Sequence, residues 1–294
     1  MTLAEKLKTV RKQTGMSQEQ LAEKLHVSRQ AITKWETGGG TPDIENLKAI
    51  SQLFEISIDE LVTGEIPEYE SEDYLYESIT EYDVVEPKKF DIHLGGAHQL
   101  VLVGKNSGKL QVRLASNMLT KIADLYRVRI DDTRRRIDVD LIRRDGVTEA
   151  ESKEFLTVFI TLPAPYLNRV EIAEQAAELT VRQLICEEDE IDGKSRTLVL
   201  DGFEGTLEMN CNTDLDIECR TLNGDIQLNQ ISASSKLTLP KDLAISARAK
   251  GVHTSLGFEE SGHKVESFAT PDAEYCIELN GMNSELIICR SEFV

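Results

Sequence analysis

Ser17-Gln18-Glu19-Gln20-Leu21-Ala22-Glu23-Lys24-Leu25-His26-Val27-Ser28-Arg29-Gln30-Ala31-Ile32-Thr33-Lys34-Trp35-Glu36 is the stretch on which the reading of this chain turns. Ser17 precedes an apolar-periodic run and Gln20 follows it by three residues. That is the spacing of a capping box, in which each side chain satisfies a free backbone N–H. Leu21, Ala22 and Leu25 then share one helical face. Ser28 is a second N-cap, and Ala31, Ile32 and Trp35 give the next helix its buried side. The pattern predicts two short helices joined by a tight turn. The second opens on Ser-Arg-Gln, side chains that suit DNA base edges.

Working outward, a first helix is expected over about Leu3–Thr14, with Leu3, Leu7 and Val10 inward. Another starts near Pro42-Asp43, Pro standing at the helix start, with Ile44, Leu47, Ile50 and Phe54 inward. Ser57, Ile58 and Leu61 suggest a fifth, short helix. These elements place one small core within residues 1–64.

Residues 1–64 resemble the phage-repressor-type, Xre-like helix-turn-helix family. The resemblance rests on Arg11, Gly15, Met16-Ser17-Gln18, Leu21-Ala22, Val27-Ser28-Arg29-Gln30, Ile32, Trp35-Glu36, Gly38, Pro42 and Leu47. It implies that the helix beginning at Ser28 lies in the major groove of double-stranded DNA. By position, Ser28, Arg29, Gln30 and Thr33 would face bases, while Gln18 and Lys34 would touch phosphates. Arg29 suits a bidentate bond to guanine and Gln30 one to adenine. His26 departs from the family, where glycine is usual at the turn. It reads as a helix C-cap residue in a left-handed conformation. The sharper alternative is a pH or ligand sensor. Residues 1–64 hold eight Lys/Arg and nine Asp/Glu, so the unit is close to neutral. That keeps a protein-binding helical bundle as the alternative to a DNA reader.

The whole chain of 294 residues carries 33 Lys/Arg against 52 Asp/Glu, a formal charge of −19. Bulk acidity of this size argues against coating nucleic acid non-specifically and for dependence on specific, dimeric contacts. No apolar run reaches bilayer-spanning length, and the N-terminus lacks a signal-peptide core, so no membrane partner and a cytoplasmic location are expected. Five cysteines, none in a C-x-x-C pair, and five scattered histidines give no metal or cofactor expectation. Cys211 and Cys219 continue apolar alternations and read as small buried residues. No nucleophile–base constellation is visible, so no catalytic residues are assigned. Leu100–Leu110 resembles a strand leading into a phosphate loop. Only three residues separate Gly104 from Gly108, and Leu110 stands where a hydroxyl is needed, so a hairpin turn is the better reading.

Residues 65–90 read as an acidic linker. Glu65–Glu86 holds nine Asp/Glu and no Lys or Arg, with one short helix suggested around Asp73–Ile79. Its charge raises the alternative that it folds back on the DNA-reading helix. From residue 91 to 294 the period changes to alternation. Thr206–Asn210, Asp214–Cys219, Asp225–Asn229, Lys236–Leu239, Leu243–Ala247 and Thr254–Phe258 recur at even spacing. Asn223-Gly224 and Asn280-Gly281 punctuate the pattern as turn signals. Inward pairs would be Leu207/Met209, Leu215/Ile217, Ile226/Leu228, Leu237/Leu239 and Leu256/Phe258. Glu171–Leu184 has helix-favouring composition, but Val170/Ile172 and Leu179/Val181 alternate around a turn, so strands are expected.

Such a pattern means a β-sandwich or a stacked β-solenoid, the solenoid being favoured by few aromatics and many small turn residues. Thr221–Leu228 also resembles the repeats of bacterial adhesin-like β-solenoid domains, which follow helix-turn-helix units in some regulators. The fold expected is therefore multidomain: an all-α bundle of five short helices, then an all-β domain. The function expected is sequence-specific transcription regulation, as a repressor acting as a homodimer, with no enzymatic activity. The dimer contact is expected from the β domain, or from the fifth helix with the linker. Rival readings are a polymerising β domain with a helical anchor, or a sensor for an unknown small-molecule effector.

Overall fold

A computed structural model describes residues 3–13, 16–54, 74–260 and 262–291. Contacts divide the chain into two units, residues 1–73 and 74–294, each with its own apolar core.

In the first unit the described helices are α1 (Leu3–Gln13), α2 (Gln18–Lys24), α3 (Arg29–Glu36) and α4 (Ile44–Phe54). The expected fifth helix and the inward side chain of Val10 lie outside the described residues. Leu7, Leu21, Ala22, Leu25, Ile32, Trp35 and Ile50 form the core. The capping box at Ser17 is complete: the Ser17 hydroxyl accepts from Gln20 N, and the Ser17 N–H donates to the Gln20 side chain. The Ser28 hydroxyl accepts from Ala31 N and so starts α3. Between them His26 takes φ +55°. Val27 N–H donates to Ala22 O and His26 N–H to Glu23 O. These bonds satisfy the last carbonyls of α2 and turn the chain sharply into α3.

Among the described residues the second unit has sixteen strands. They are β1 (Tyr76–Asp83), β2 (Lys88–Lys105), β3 (Lys109–Ser116), β4 (Tyr126–Asp132), β5 (Arg136–Arg143), β6 (Thr157–Pro163), β7 (Leu167–Arg182) and β8 (Ile185–Asp192). Then follow β9 (Thr197–Asp201), β10 (Phe203–Asn210), β11 (Asp216–Cys219), β12 (Leu222–Ile231), β13 (Ser234–Pro240), β14 (Ile245–Glu260), β15 (His263–Val265) and β16 (Tyr275–Ser291). Two short helices, α5 (Ile122–Leu125) and α6 (Glu149–Phe155), lie between strands.

The solenoid and the sandwich are both corrected by the strand pairing. Running β7-β8-β10-β12-β16-β13-β11-β9 and back to β7, eight strands close into a parallel barrel. Closure comes from two long strands. β7 pairs with β8 through Arg169–Ala173 and with β9 through Glu178–Arg182. β16 likewise pairs with β12 through Ile277–Met282 and with β13 through Glu285–Ser291. Each thus belongs to both walls, and no open edge separates one wall from the other. Parallel neighbours need a crossover, and here the crossover is a strand of the opposite wall. Phe203 accordingly faces Leu222, nineteen residues on.

The interior is a set of apolar rungs. One wall stacks Ile92, Ile172, Ile191, Met209, Leu228 and Leu279. The other stacks Leu179, Leu198, Ile217, Leu237 and Ile288. All are buried, each contributing roughly 1.5–3 kcal/mol. The first four expected inward pairs are buried, while Leu256 and Phe258 are partly buried. Cys211 and Cys219 are buried, and the described cysteines are free thiols.

Beyond β7 the unit continues through β2, whose first half carries β5 and then β4, and whose second half carries β6, β3 and β1, both on the edge away from β7. At the far end β14 pairs along β16.

Four local expectations change. The acidic run from Tyr76 to Asp83 is strand β1, antiparallel to β3, and neither linker nor helix. Its acids are matched across the sheet, Glu77 by Arg113 and Glu81 by Lys109 and Gln111. The Gly104–Gly108 turn joins β2 to β3, but β6 lies between them, so they form no hairpin. No turn separates Ile172 from Leu179; β7 runs on to Arg182 as one strand. Asn223-Gly224 and Asn280-Gly281 lie inside β12 and β16. A side chain at Gly224 would run into the carbonyl of Gly205, so glycine there permits close strand stacking, not a turn.

Candidate nucleic-acid interface

The expected DNA-facing side chains all belong to α2, α3 or the residue capping α3. Arg29, Gln30, Thr33 and Lys34 are exposed, as is Ser28. Among the described residues, the side chains of Arg29, Gln30 and Lys34 have no hydrogen-bond or ion-pair partner. They are therefore available to a ligand. Ser28 is not equally free, because its hydroxyl already caps the helix at 3.2 Å from Ala31 N.

Gln18 is half-buried and braced from both sides. Its Nε2 donates to Glu36 Oε2 at 2.8 Å, and its Oε1 accepts from Thr33 Oγ1 at 3.2 Å. The first residue of α2 is thereby tied to two turns of α3. Thr33 also back-bonds to Arg29 O at 3.1 Å. The arrangement brings Gln18 and Thr33 together and leaves Arg29, Gln30 and Lys34 pointing clear of protein partners.

Beneath this surface lies a feature the sequence reading did not predict. Arg11 of α1 reaches Glu36 at the end of α3, Nε to Oε1 at 2.5 Å and Nη2 to Oε2 at 3.0 Å. The Arg11 Nη1 also donates to Met16 O at 2.7 Å. The Glu36 side chain is 2% exposed. Burial alone would push its carboxyl upward, but the bonds from Arg11 and Gln18 outweigh it and hold the group below the usual carboxylate range. Arg11 is raised in turn, chiefly by its bond to Glu36. The fork of two parallel bonds fixes the direction of α3 relative to α1. Both residues stood among the family-like positions.

Comparison with known proteins agrees with this geometry. A family model described as helix-turn-helix matches residues 7–61. The N-terminal unit is a helix-turn-helix domain. Over 65 residues, 22% of this chain and 32% of the relative, the sequence is 54% identical to the helix-turn-helix transcriptional activator BcrR of Enterococcus faecalis. Over 61 residues, 21% of this chain and 54% of the relative, it is 41% identical to the CTXphi phage transcriptional repressor RstR of Vibrio cholerae. The chain thus spans about a third to a half of the length of these curated relatives.

Among solved structures, a phage c2 repressor in complex with a synthetic operator matches 22% of this chain and 98% of its own, with 32% identity and a TM-score of 0.22. A candidate adhesin from Bacteroides fragilis matches 74% of this chain and 98% of its own, with 14% identity and a TM-score of 0.39. No helix among the described residues is long and apolar enough to cross a membrane.

Proposed function

We propose that this chain is a sequence-specific DNA-binding transcription regulator of the cytoplasm, without enzymatic activity. α3 enters the major groove. Arg29 and Gln30 read base edges, with Thr33 and the cap residue Ser28 beside them, while Gln18 and Lys34 hold phosphates. The observation that carries this reading is the pairing of a braced helix with unengaged side chains. Arg11, Glu36 and Gln18 lock α3 in place, and the exposed Arg29, Gln30 and Lys34 are left without protein partners. A rigid support and free polar termini are what direct readout needs.

One α3 reads about half of a site, so the chain acts as a homodimer on a pseudo-palindrome with half-sites one helical turn apart. A bound dimer excludes polymerase without any further contact, whereas activation needs an additional polymerase-facing surface. Repression is therefore the simpler sign. The test is selection from a random duplex library with the full chain, then transcription of a reporter behind the recovered sequence. Enrichment of a two-fold-related motif and lowered transcription support the reading. Failure to enrich any motif sinks it.

A second role for the β unit, response to a small effector, is favoured by one observation. An open groove of about 1140 Å³ runs along a corner of the barrel. Its wall carries an amide ladder in which Asn280 donates to Asn229 at 3.0 Å, Asn229 to Asn210 at 2.7 Å, and Asn210 to Asp192 at 2.8 Å. The exposed Ile231 and Met282 flank that ladder. Metabolites that raise the melting temperature of the full chain and shift its operator affinity would identify the effector; a panel that moves neither removes this role.

A further inference from the structure

Seven arginines lie between Tyr126 and Arg144, in a chain whose net charge is −19. They are Arg127, Arg129, Arg134, Arg135, Arg136, Arg143 and Arg144, against four aspartates in the same span, Asp131, Asp132, Asp138 and Asp140. The span is therefore +3, and the rest of the chain sums to −22 (−19 minus +3). This is the antiparallel ribbon β4–β5, whose strand pairing to the sheet, among the described residues, is that of β5 with β2. β4 is the outermost strand and has a single neighbour.

Every aspartate of the ribbon has a cationic partner. Arg129 takes Asp140 at 2.8 Å and Asp131 at 3.1 Å. Arg136 takes Asp138 at 2.8 Å and reaches Asp91 at 3.2 Å. Lys88 takes Asp132 at 2.8 Å. Arg143 donates to the carbonyl of Val147. What remains is Arg127, Arg134, Arg135 and Arg144, all exposed and without an acidic partner among the described residues. Two sit at the ribbon's turn and two near its base. At about 3.3 Å per residue, Arg127 and Arg134 are roughly 20 Å apart.

We infer that the β4–β5 ribbon is a second contact to the DNA phosphate backbone, resting on the DNA-binding reading above. Exposed arginines without an acidic partner, at both ends of a two-stranded ribbon at the sheet's edge, match the charge of a phosphodiester backbone. The helix-turn-helix domain is close to neutral and supplies little of the sequence-independent attraction that such binding needs. The acids of β8 (Glu187, Glu188, Asp189, Glu190 and Asp192) and of β10 (Glu204 and Glu208) lie on more distant strands. β8 is four strand steps from β4 by way of β5, β2 and β7, which is about 19 Å. That exceeds the roughly 8–10 Å screening length in ordinary salt. Contacts of this kind add affinity and orientation and carry no sequence preference.

The experiment uses the full chain and the duplex recovered by selection, with affinity measured by fluorescence anisotropy between 50 and 200 mM salt. The quadruple variant Arg127→Gln, Arg134→Gln, Arg135→Gln, Arg144→Gln is compared with wild type and with the matching four Arg→Lys changes. The log–log salt slope should become shallower by about 2–4, at roughly 0.9 for each phosphate no longer neutralised. Affinity at low salt should fall at least tenfold, the preferred sequence should not change, and the lysine set should retain most of the slope. An unchanged slope in a variant that melts like wild type overturns the inference and leaves the α3 reading intact. So does a variant that self-associates with its slope unchanged, because the arginines then only guard the free edge of β4. If wild type enriches no sequence at all, both the reading and this inference fall.

Discussion

The helical unit and the barrel each bury a carboxylate, and they treat it in opposite ways. Glu36 sits under α3 with a forked arginine and an amide donating to it, and its carboxyl is held low. Asp189 sits in a rung otherwise made of Val170, Leu207, Ile226 and Ile277. Its Oδ1 accepts from the Cys186 thiol at 2.5 Å, and its Oδ2 has no hydrogen-bond partner. Burial dominates there and pushes its carboxyl up to about 7, with the Cys186 bond offsetting only part of the effect. One acid is a charged clamp; the other, with its carboxyl at about 7, is only about half ionised near neutral pH. Burial by itself does not decide what a carboxylate does, because its donors do.

The largest expected effect tests the clamp. Arg11→Met leaves Glu36 buried without its cation, and losing one partner of such a pair costs about 3–5 kcal/mol. A calorimetric scan of the full chain should show the helical transition moved down sharply while the barrel transition stays. Equal stability of both transitions would mean that the clamp does not organise the unit.

Asp189 gives the opposite test through pH. Its folded pKa lies above its unfolded value near 3.8, so its contribution is most favourable at low pH and is lost as pH rises towards about 7. The penalty at pH 8 is on the order of 4 kcal/mol, at about 1.4 kcal/mol for each pH unit separating the folded and unfolded pKa. Asp189→Asn should remove most of that slope from the barrel's denaturation free energy between pH 5 and 8. A wild-type barrel as stable at pH 8 as at pH 5 contradicts the assignment.

Smaller effects belong to the interface. Arg29→Ala should cost roughly 1–3 kcal/mol of operator affinity and relax preference at one base position. Lys34→Ala should weaken all sequences about equally. If Arg29→Ala keeps the wild-type motif, the role given to Arg29 is wrong. Smallest is the turn. His26 holds φ +55°, a left-handed conformation that disfavours any residue with a Cβ. His26→Gly should stabilise the helical unit by about 0.5–1 kcal/mol, readable as a rise in its melting temperature; a fall would mean that the imidazole makes a contact worth more than the strain.

The same contrast governs how much could be read from the amino acids alone. The caps at Ser17 and Ser28 and the apolar faces of α2 and α3 are local, spaced three and four residues apart, and were legible. The Arg11–Glu36 clamp was not, because its partners stand twenty-five residues apart on different helices. In the β unit, alternation identified inward residues such as Leu207, Met209, Ile226 and Leu228. It could not say which strands were neighbours, because a two-residue period marks a face and leaves the partner open. Closure through β7 and β16 was therefore hidden. So was β1, whose acids looked like tether until Arg113 and Lys109 were seen across the sheet. At the site, residue types and cap positions were visible in advance. The engagement of Gln18 by Glu36 and Thr33 needed the fold.

What most needs testing is whether α3, held by the clamp, reads DNA in a two-fold pair. Selection from a random duplex library with the full chain tests it most directly. Two inverted half-sites centred one helical turn apart should be enriched, and the enrichment should be lost when Arg29 and Gln30 are replaced by alanine. A pool that stays random, or enrichment that survives those two substitutions unchanged, would contradict it.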